Sequence, residues 1–377
     1  MKQAKMNKLV RLTVAFLAIL ALTFFACTND KEPQVIKIGA ILPLTGPLGY
    51  LGEVERKAIE IAEEVLKKEG IQIKVLFGDS KGKPAEAVTV AHKLISVDQV
   101  DCFITSTTSV SRAVLPLADR NEKIIATLCM DPSIQRDSLY AFRLYEGMEQ
   151  EAETLLQYYK QKNRANNKVA VLYINHAGTV QQMNDYFFPG FQKMNIEIAY
   201  AEPFELSDRD FKAKIDKIKH SKADSLIIIG FGFVYPTIFK ELAQHKLLGK
   251  IEITGGWGFI APNKVPPQLL EGVIIAAPEY VFNKNEKAIT FETMYLKKYG
   301  ELPNFDGAFA YSAAKILVEA INKSGGNIKN ASELIRTMGV YDDIFGKVEI
   351  DESGGMKVPM GIGVIKQGKI ISYKSEN

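Results

Sequence analysis

The residues of this chain that could do chemistry stand in turns that follow apolar runs. Thr107, Thr108 and Ser109 come directly after the run Cys102–Ser106 and open a helical pattern. The N–H groups and the partial positive charge at the start of a helix favour an anion. The same hydroxyl groups are also common helix caps. The segment therefore predicts an anion-binding turn, with simple helix capping as the alternative.

A second turn of this kind, residues 45–52, contains three glycines after the run Ile36–Leu42. Their spacing, G-x-x-G-x-x-G, differs from the fingerprint of dinucleotide-binding turns, G-x-G-x-x-G. A nicotinamide site is therefore not expected. We interpret the turn as a glycine-rich segment that lets Tyr50 and Leu51 cover the mouth of a cleft.

The single tryptophan of the chain, Trp257, lies in Gly255-Gly256-Trp257-Gly258 after the run Ile251–Thr254. Tryptophan offers a flat apolar face and one N–H donor. A place in the core is the alternative, but glycines on both sides of Trp257 favour a cleft position. Alternating aromatic residues after the run Ser225–Gly230 predict an aromatic wall beside it: Phe231, Phe233 and Tyr235.

No group of residues predicts catalysis or a metal site. The histidines, at positions 92, 176, 220 and 245, are dispersed, and only His176 falls on a predicted cleft loop, together with Thr179. The chain lacks the P-loop, the H-E-x-x-H zinc motif and the G-x-S-x-G nucleophile turn. We therefore expect neither an enzyme nor a cofactor.

Short apolar strands alternate with helical patterns along most of the chain. This alternation is typical of an α/β fold with doubly wound parallel sheets that are covered by helices on both faces. Near the end, Gln367-Gly368 links two short strands and predicts a hairpin. The predicted strands are Ile36–Leu42, Gln72–Gly78, Cys102–Ser106, Lys123–Leu128, Val169–Ile174, Glu197–Tyr200, Ser225–Gly230, Ile251–Thr254, Gly272–Ala276, Asp343–Glu349, Val358–Lys366 and Lys369–Tyr373.

The first 26 residues have the layout of a secretory signal peptide. Four basic residues precede or border the uncharged apolar run Leu12–Phe25, which is shorter than the roughly 20 residues that cross a bilayer. Phe24-Phe25-Ala26-Cys27 resembles a bacterial lipobox, in which the cysteine becomes a lipidated N-terminus. We expect Cys27 to carry a lipid anchor and residues 27–34 to form a tether. An ordinary signal peptide, with Cys27 incidental, is the alternative.

Charge and length restrict the remaining classes. Removal of the four basic leader residues changes the formal net charge from +3 to −1, so nucleic acid binding is not expected. The remaining length exceeds the usual size of one hydrophobic core, which predicts two lobes. Cys102 and Cys129 would lie at opposite ends of neighbouring parallel strands, so we expect two buried free thiols and no disulfide.

The segment Ile36-Lys37-Ile38-Gly39-Ala40-Ile41-Leu42-Pro43-Leu44-Thr45-Gly46-Pro47 resembles the first strand and turn of the type I periplasmic binding proteins. Among them it is most similar to the leucine/isoleucine/valine-binding branch, which feeds ABC transporters. Similar segments continue in the same order along the mature chain, at residues 77–84, 109–118, 306–320 and 345–351.

This resemblance implies two Rossmann-like lobes that are joined by three crossings and close on a ligand. Lobe 1 would comprise residues 35–146 and 279–338, and lobe 2 residues 147–278 and 339–377. The resemblance also implies a small-molecule ligand and an ABC permease as the membrane partner. We expect the protein to be a monomer.

In the resembling family, a Ser at the turn Thr107–Ser109 and the helix that follows hold the ligand carboxylate. The family's amino-acid binders place small residues and a Thr after the fourth strand, where this chain has Leu128-Cys129-Met130-Asp131. They carry a Tyr after the first strand of lobe 2, where this chain has Asn175-His176-Ala177-Gly178-Thr179. These departures indicate a different ligand.

The most informative departure is at Trp257, where those binders supply a Glu that pairs with the ligand ammonium. A buried ammonium without a carboxylate partner is costly. Asp131 or Asp306 could replace that Glu if the ligand is cationic. Arg143, next to a predicted crossing, suits a structural role as well as a ligand contact.

Together these patterns predict an extracytoplasmic solute-binding lipoprotein of an ABC importer that captures its ligand by lobe closure. The expected ligand is amino-acid-like, an amide, or an aromatic or apolar carboxylate, and not a standard branched-chain amino acid. The alternative is a lipoprotein that senses a ligand and reports to a membrane receptor without transport.

Overall fold

The computed structural model of the protein describes residues 35–136, 138–162, 168–230, 232–260 and 264–373. The predicted signal peptide, Cys27 and the tether up to residue 34 lie outside the described residues, and so does Phe231. What the sequence predicts for those positions stays a prediction.

The first part of the chain builds a five-stranded parallel sheet. Its strands are β1 (Ile36–Leu42), β2 (Ile73–Asp79), β3 (Cys102–Ser106), β4 (Ile124–Leu128) and β5 (Ala141–Arg143). Their order across the sheet is β2-β1-β3-β4-β5. β3, β4 and β5 are buried at every residue, as expected for central strands that are covered on both faces.

A second sheet repeats this winding. It contains β6 (Lys168–Ile174), β7 (Glu197–Phe204), β8 (Ser225–Ile229), β9 (Glu252–Gly255) and β10 (Ile274–Pro278), in the parallel order β7-β6-β8-β9-β10. In both sheets the chain reverses its direction of winding after the second strand. Ligands of such sheets bind at this switch point, beyond the carboxyl ends of the strands.

Helices cover both sheets. In the described residues they are α1 (Gly49–Lys68), α2 (Pro84–Ser96), α3 (Thr108–Arg120), α4 (Met148–Gln161), α5 (Ala177–Gln182), α6 (Phe188–Lys193), α7 (Lys212–Ser221), α8 (Tyr235–Gln244), α9 (Glu286–Tyr299), α10 (Phe305–Lys323) and α11 (Ile328–Arg336). A π-helical turn, Met183–Phe187, joins α5 to α6.

The tail divides between the two lobes. Its strands are β11 (Gly339–Asp343), β12 (Gly346–Ile350), β13 (Met356–Lys357), β14 (Met360–Lys366) and β15 (Lys369–Ser372). β14 and β15 extend the second sheet as antiparallel strands beside β10, whereas β11, β12 and β13 form a separate antiparallel sheet.

The predicted lobe boundary, which gave all of residues 339–377 to lobe 2, is wrong for β11–β13. Phe345, Val348 and Met356 belong to the hydrophobic core that β1 and β3 form with α1 and α10. Their burial there attaches the small sheet to lobe 1. By contrast, the predicted hairpin at Gln367-Gly368 is confirmed, with positive φ angles of 51° and 73° that suit a two-residue turn.

Three crossings connect the lobes and are tied to one another. They are residues 144–147 between β5 and α4, residues 279–285 between β10 and α9, and residues 358–359 between β13 and β14. Gln150 Nε2 donates to the Val358 carbonyl at 3.0 Å. The Glu279 N–H donates to the Pro359 carbonyl at 2.8 Å. Hydrogen bonds that bring all three crossings together are what a hinge between two lobes requires.

Candidate functional site

The carboxyl end of β3 leads directly into α3, and the turn between them leaves its donors available. Thr107 has φ 71° and ψ 145°, and its side chain makes no cap hydrogen bond to the helix. Its Oγ1 atom is enclosed without a partner. Among the described residues, no group accepts a hydrogen bond from the N–H groups of Thr108, Ser109 or Val110. These donors and the helix dipole suit a ligand anion, and Thr107 does not act as the cap that was the alternative.

The turn after β1 is fixed by Asp79 at the end of β2. Its Oδ1 atom accepts hydrogen bonds from two backbone N–H groups of that turn, at 3.0 and 3.2 Å. Gly52 approaches Pro43 so closely that a Cβ would lie 2.4 Å from the carbonyl oxygen. These constraints place Tyr50, which is 44% exposed, and the half-buried Leu51 in the first turn of α1, at the carboxyl end of β1.

The side chains of the segment after β4 mostly contact other residues of lobe 1. Cys129 is a buried free thiol like Cys102, as predicted, and burial raises its pKa. Met130 packs half-buried against the core of lobe 1. Asp131 is buried and forms an ion pair with Arg112. Because Arg112 already neutralises Asp131, the structure does not support its predicted role as the counter-ion of a ligand.

Trp257 lies where lobe 2 meets lobe 1. It begins a 3₁₀ turn, Trp257–Phe259, directly after β9, and its half-buried side chain packs against the hydrophobic core of lobe 1. Its backbone N–H donates to Glu151 Oε2 at 2.8 Å. Gln182 Nε2 donates to the other oxygen of Glu151 at 3.0 Å. The Trp257 turn therefore lies between the lobes, and a ligand contact of its side chain stays a prediction.

The glycines that flank Trp257 are required by close packing. A Cβ at Gly256 would lie 1.8 Å from Glu151 Oε2, and a Cβ at Gly258 would lie 1.9 Å from the Gly230 carbonyl oxygen. Glycine therefore lets the loop after β9 lie against both α4 and the end of β8.

The predicted aromatic wall beside Trp257 is wrong for Tyr235. This residue begins α8 and is fully buried in the core of lobe 2, where its ring centroid lies 4.6 Å from that of Phe259. Its hydroxyl donates to the Gly230 carbonyl at 3.0 Å. The helix turns Tyr235 onto the sheet, whereas Phe233, in the preceding 3₁₀ turn, is 52% exposed.

His176 and Thr179 lie at the start of α5, beyond the carboxyl end of β6. His176 is the residue before the helix, and partial burial of its ring lowers its pKa. Thr179 is buried. Gln182, in the same helix, reaches Glu151, so α5 and α4 meet beside the Trp257 turn.

Four buried carboxyl groups lie close to these residues, and the sequence analysis missed all of them except that of Asp306. Glu55, Glu146 and Glu151 are each 1% exposed, and Asp306 is 8% exposed. Burial raises the pKa of Glu151 to about 7 and that of Asp306 to about 6. Burial also raises the pKa of Glu55 and of Glu146 well above the usual range. Repulsion by the Asp306 carboxylate adds to the raised pKa of both, and repulsion by Glu151 adds further to that of Glu146.

Neutral donors hold two of these carboxyl groups in lobe 1. Ser106 Oγ donates to Glu55 Oε1 at 2.7 Å. Tyr145 Oη donates to Asp306 Oδ1 at 2.6 Å, and Asn304 Nδ2 donates to Oδ2 at 2.8 Å. Partial burial, together with these two carboxylates, raises the pKa of Tyr50 to about 12. Asp306 is thus the predicted counter-ion that does lie beside predicted cleft residues.

Arg143 has a structural role at the first crossing. Its guanidinium donates to the Tyr145 carbonyl at 2.7 Å and to Glu149 Oε1 at 2.9 Å, and the residue is 1% exposed. A bridge with Gly355 also ties β5 to the tail. The guanidinium therefore holds the crossing in shape.

A surface depression elsewhere is not part of this site. It has a volume of about 510 Å³ and lies at the amino ends of β9 and β10, between Lys250 and Glu271. That edge of the sheet is opposite the carboxyl ends, where the Trp257 turn lies.

In the part of the chain that the structure describes, no helix is both long and apolar enough to cross a membrane. Within the same part of the chain, no three or more His, Cys, Asp or Glu side chains are grouped so that they could hold a metal ion.

The protein has two doubly wound lobes, which are joined by three hydrogen-bonded crossings and carry turns at the carboxyl ends of their strands. This is the architecture of a two-lobed ligand-binding protein. A family model described as a periplasmic binding protein matches residues 35–369. The chain therefore belongs to the periplasmic binding protein family, and within it to the type I proteins of the leucine/isoleucine/valine-binding branch. Proteins of this family bind solutes and are not enzymes.

Three known proteins illustrate the similarity. Leu/Ile/Val-binding protein homolog 3 of Brucella melitensis is 27% identical over 233 residues, which cover 60% of this chain and only 61% of that protein. The leucine-, isoleucine-, valine-, threonine-, and alanine-binding protein of Pseudomonas aeruginosa is 22% identical over 352 residues, covering 90% and 92%. A solute-binding protein of an ABC transporter from Rhodopseudomonas palustris BisB5, solved with 3,4-dihydroxybenzoic acid, is 22% identical, with a TM-score of 0.76 and coverage of 90% and 96%. The last similarity concerns the fold alone.

Proposed function

We propose that this protein is a lipoprotein, anchored through Cys27 outside the cytoplasm, that captures a small organic ligand between its lobes for an ABC importer. One observation carries the proposal. The unpaired N–H groups at the start of α3 belong to lobe 1, and Trp257 of lobe 2 packs against lobe 1. An anion held at α3 and an apolar body against Trp257 would contact both lobes, so the ligand would stabilise their closed arrangement.

The proposed ligand is amino-acid-like, an amide, or an aromatic or apolar carboxylate, and not a standard branched-chain amino acid. Trp257 stands where the resembling amino-acid binders supply a Glu. The relative from Pseudomonas aeruginosa is named for aliphatic amino acids, and the Rhodopseudomonas palustris protein was solved with an aromatic acid. Both kinds of ligand carry a carboxylate, which the start of α3 suits.

Calorimetric titration of the purified domain, residues 28–377, against amino acids and aromatic acids tests this function. We expect at least one carboxylate ligand to bind, and Trp257→Ala to weaken it at least tenfold. Leu139→Ala, at a side chain that is 69% exposed, is the control and should bind as the wild type does. Tight leucine binding that Trp257→Ala leaves unchanged would show that the proposed ligand class is wrong.

The anchor and the transport role have separate tests. Cys27→Ser should move the exported protein from the membrane fraction to the soluble fraction. Retention of the wild type in the soluble fraction would instead favour an ordinary signal peptide. Loss of ligand uptake in cells without the protein supports an importer, whereas unchanged uptake favours a sensor.

A further inference from the structure

Glu151 of α4 is a buried carboxyl group that joins two elements of the candidate site. Its Oε2 atom accepts a hydrogen bond from the Trp257 N–H at 2.8 Å, and its Oε1 atom accepts one from Gln182 Nε2 of α5 at 3.0 Å. The Trp257 turn lies so close to it that a Cβ at Gly256 would be 1.8 Å from Oε2. The carboxyl group of Glu151 therefore determines where the Trp257 turn lies relative to α4 and α5.

Gln182 connects this carboxyl group to the first crossing. Its Nε2 atom also donates to the Met148 carbonyl at 3.0 Å, so both N–H donors of the amide are used. The Met148 N–H donates in turn to the Met130 carbonyl of lobe 1 at 3.1 Å. Glu151 thus belongs to a series of hydrogen bonds that runs from the Trp257 turn of lobe 2 to the segment after β4 of lobe 1.

Both oxygens of Glu151 face N–H donors, which is the arrangement of an ionised carboxyl group. Hydrogen bonds to an ionised acceptor are roughly twice as strong as those between neutral groups. A proton on either oxygen makes that oxygen a donor and weakens it as an acceptor. Protonation of Glu151 therefore weakens its bond to Trp257, its bond to Gln182, or both.

The surroundings of Glu151 make a proton easy to add. No basic side chain in the described part of the chain forms an ion pair with it. Burial without a cation penalises the charged form and raises the pKa of Glu151 to about 7, although the bonds from Trp257 and Gln182 act in the opposite direction. Glu151 is therefore only partly ionised at neutral pH.

Three other titratable groups lie on elements beside Glu151. Repulsion by ionised Glu151 contributes to the raised pKa of Glu146 in the first crossing and of Tyr235 in α8, so both keep their protons when Glu151 ionises. His176 precedes α5, and partial burial lowers its pKa. A positive charge on His176 in acid would strengthen the binding of an anion, which is opposite in sign to the effect of a proton on Glu151.

We propose that Glu151 is a positioning residue whose ionised form holds the Trp257 turn in place for the ligand, so that ligand affinity falls when mild acid protonates it. This inference rests on the proposed function, because that function places the ligand against Trp257. The bound protein would carry fewer protons on Glu151 than the free protein, so affinity rises with pH. If only the ionised form binds, a pKa of about 7 gives about a tenfold difference in affinity between pH 6 and pH 8.

The fluorescence of Trp257, the single tryptophan of the chain, tests the state of the turn without a ligand. The purified protein should show a fluorescence transition with a midpoint near pH 7, and Glu151→Gln should show none. Gln182→Met, which removes one donor from the carboxyl group, should move the midpoint to higher pH. Glu153→Gln, at an exposed position of the same helix, and His176→Gln should leave it unchanged.

The absence of a transition in the wild type, or its persistence in Glu151→Gln, overturns the inference. Loss of the transition in His176→Gln would assign it to the imidazole and overturns the inference as well. If Glu151→Gln does not fold, Gln182→Met decides, and an unchanged midpoint is the contrary result.

Calorimetric titration at pH 6 and pH 8 tests the effect on binding, with benzoate, L-phenylalanine and L-glutamine as the probes. Their carboxylates stay ionised over this range. A probe that binds should bind about tenfold more weakly at pH 6 to the wild type and to Glu153→Gln, and equally at both pH values to Glu151→Gln. Equal or tighter binding to the wild type at pH 6 overturns the inference and leaves the proposed function intact. If none of the three binds at either pH, the proposed function fails, and the fluorescence titration alone decides whether Glu151 holds the turn.

Discussion

Burial makes Glu151 and Asp306 hold protons at a pH at which exposed carboxyl groups have lost theirs. The pKa of Glu151 is raised to about 7 and that of Asp306 to about 6. In the unfolded chain both groups would ionise at about pH 4. Between these values the folded state binds more protons than the unfolded state, so the free energy of unfolding falls as pH rises.

We therefore predict that the ligand-free protein is more stable at pH 5 than at pH 8. Each unit by which folding raises the pKa of a carboxyl group changes the free energy of unfolding by about 1.4 kcal/mol across this pH range. Urea unfolding, followed by the fluorescence of Trp257, measures the effect. Glu151→Gln should flatten the profile and Glu153→Gln should not. His176, whose lowered pKa acts in the opposite direction near pH 6, is common to all three proteins. Stability that rises from pH 5 to pH 8 would contradict this prediction.

At the scale of the element, α3 follows a residue that is held in a strained conformation, Thr107. The φ and ψ of Thr107, 71° and 145°, lie where glycine is the usual residue. Such a conformation costs about 1–3 kcal/mol in a residue with a side chain. This conformation of Thr107 places its hydroxyl and the N–H groups of α3 at the carboxyl end of β3. We infer that the strain is retained because these groups bind the ligand.

We predict that Thr107→Gly stabilises the free protein by about 1 kcal/mol, because it removes strain, and that it weakens ligand binding through loss of the hydroxyl. Chemical unfolding and calorimetric titration measure the two effects. Lys222→Gly, at an exposed left-handed position that ends α7, is the matched control and should change stability alone. Destabilisation by Thr107→Gly would contradict the account of strain.

Elements that bury both faces were predictable from the sequence. β1 and β3 have the predicted bounds because they are apolar runs without interruption. β5 is three residues long and β13 is two, so neither is long enough to show the alternation of apolar and polar residues that predicts a strand. The small sheet β11–β13 joined the wrong lobe in the prediction because local patterns carry no information about which core covers them.

Apart from Asp306, which came from the family resemblance, the candidate site was predictable only where it follows strand ends. The positions of Thr107 and Trp257 came from that rule. Glu55 left a signal that was missed, because it shares one helical face with Ala58, Ile59 and Ala62, all of which are buried. Glu146 left none, since an acidic residue in a connecting segment is ordinarily exposed.

At the scale of the whole molecule, the two lobes depend on one hinge. Its crossings are joined by the bonds from Gln150 to Val358 and from Glu279 to Pro359. A ligand held at the start of α3 in lobe 1 and against Trp257 of lobe 2 would couple binding to the relative position of the lobes. This coupling is what a solute-binding protein needs in order to present a closed form to a membrane partner.

The most direct test is a crystal structure with the compound that binds most tightly in titration. We predict density between the lobes, with the ligand's acid group about 3 Å from the N–H groups at the start of α3 and its body against Trp257. A compound bound on the outside of one lobe, with the start of α3 empty of ligand, would contradict the account.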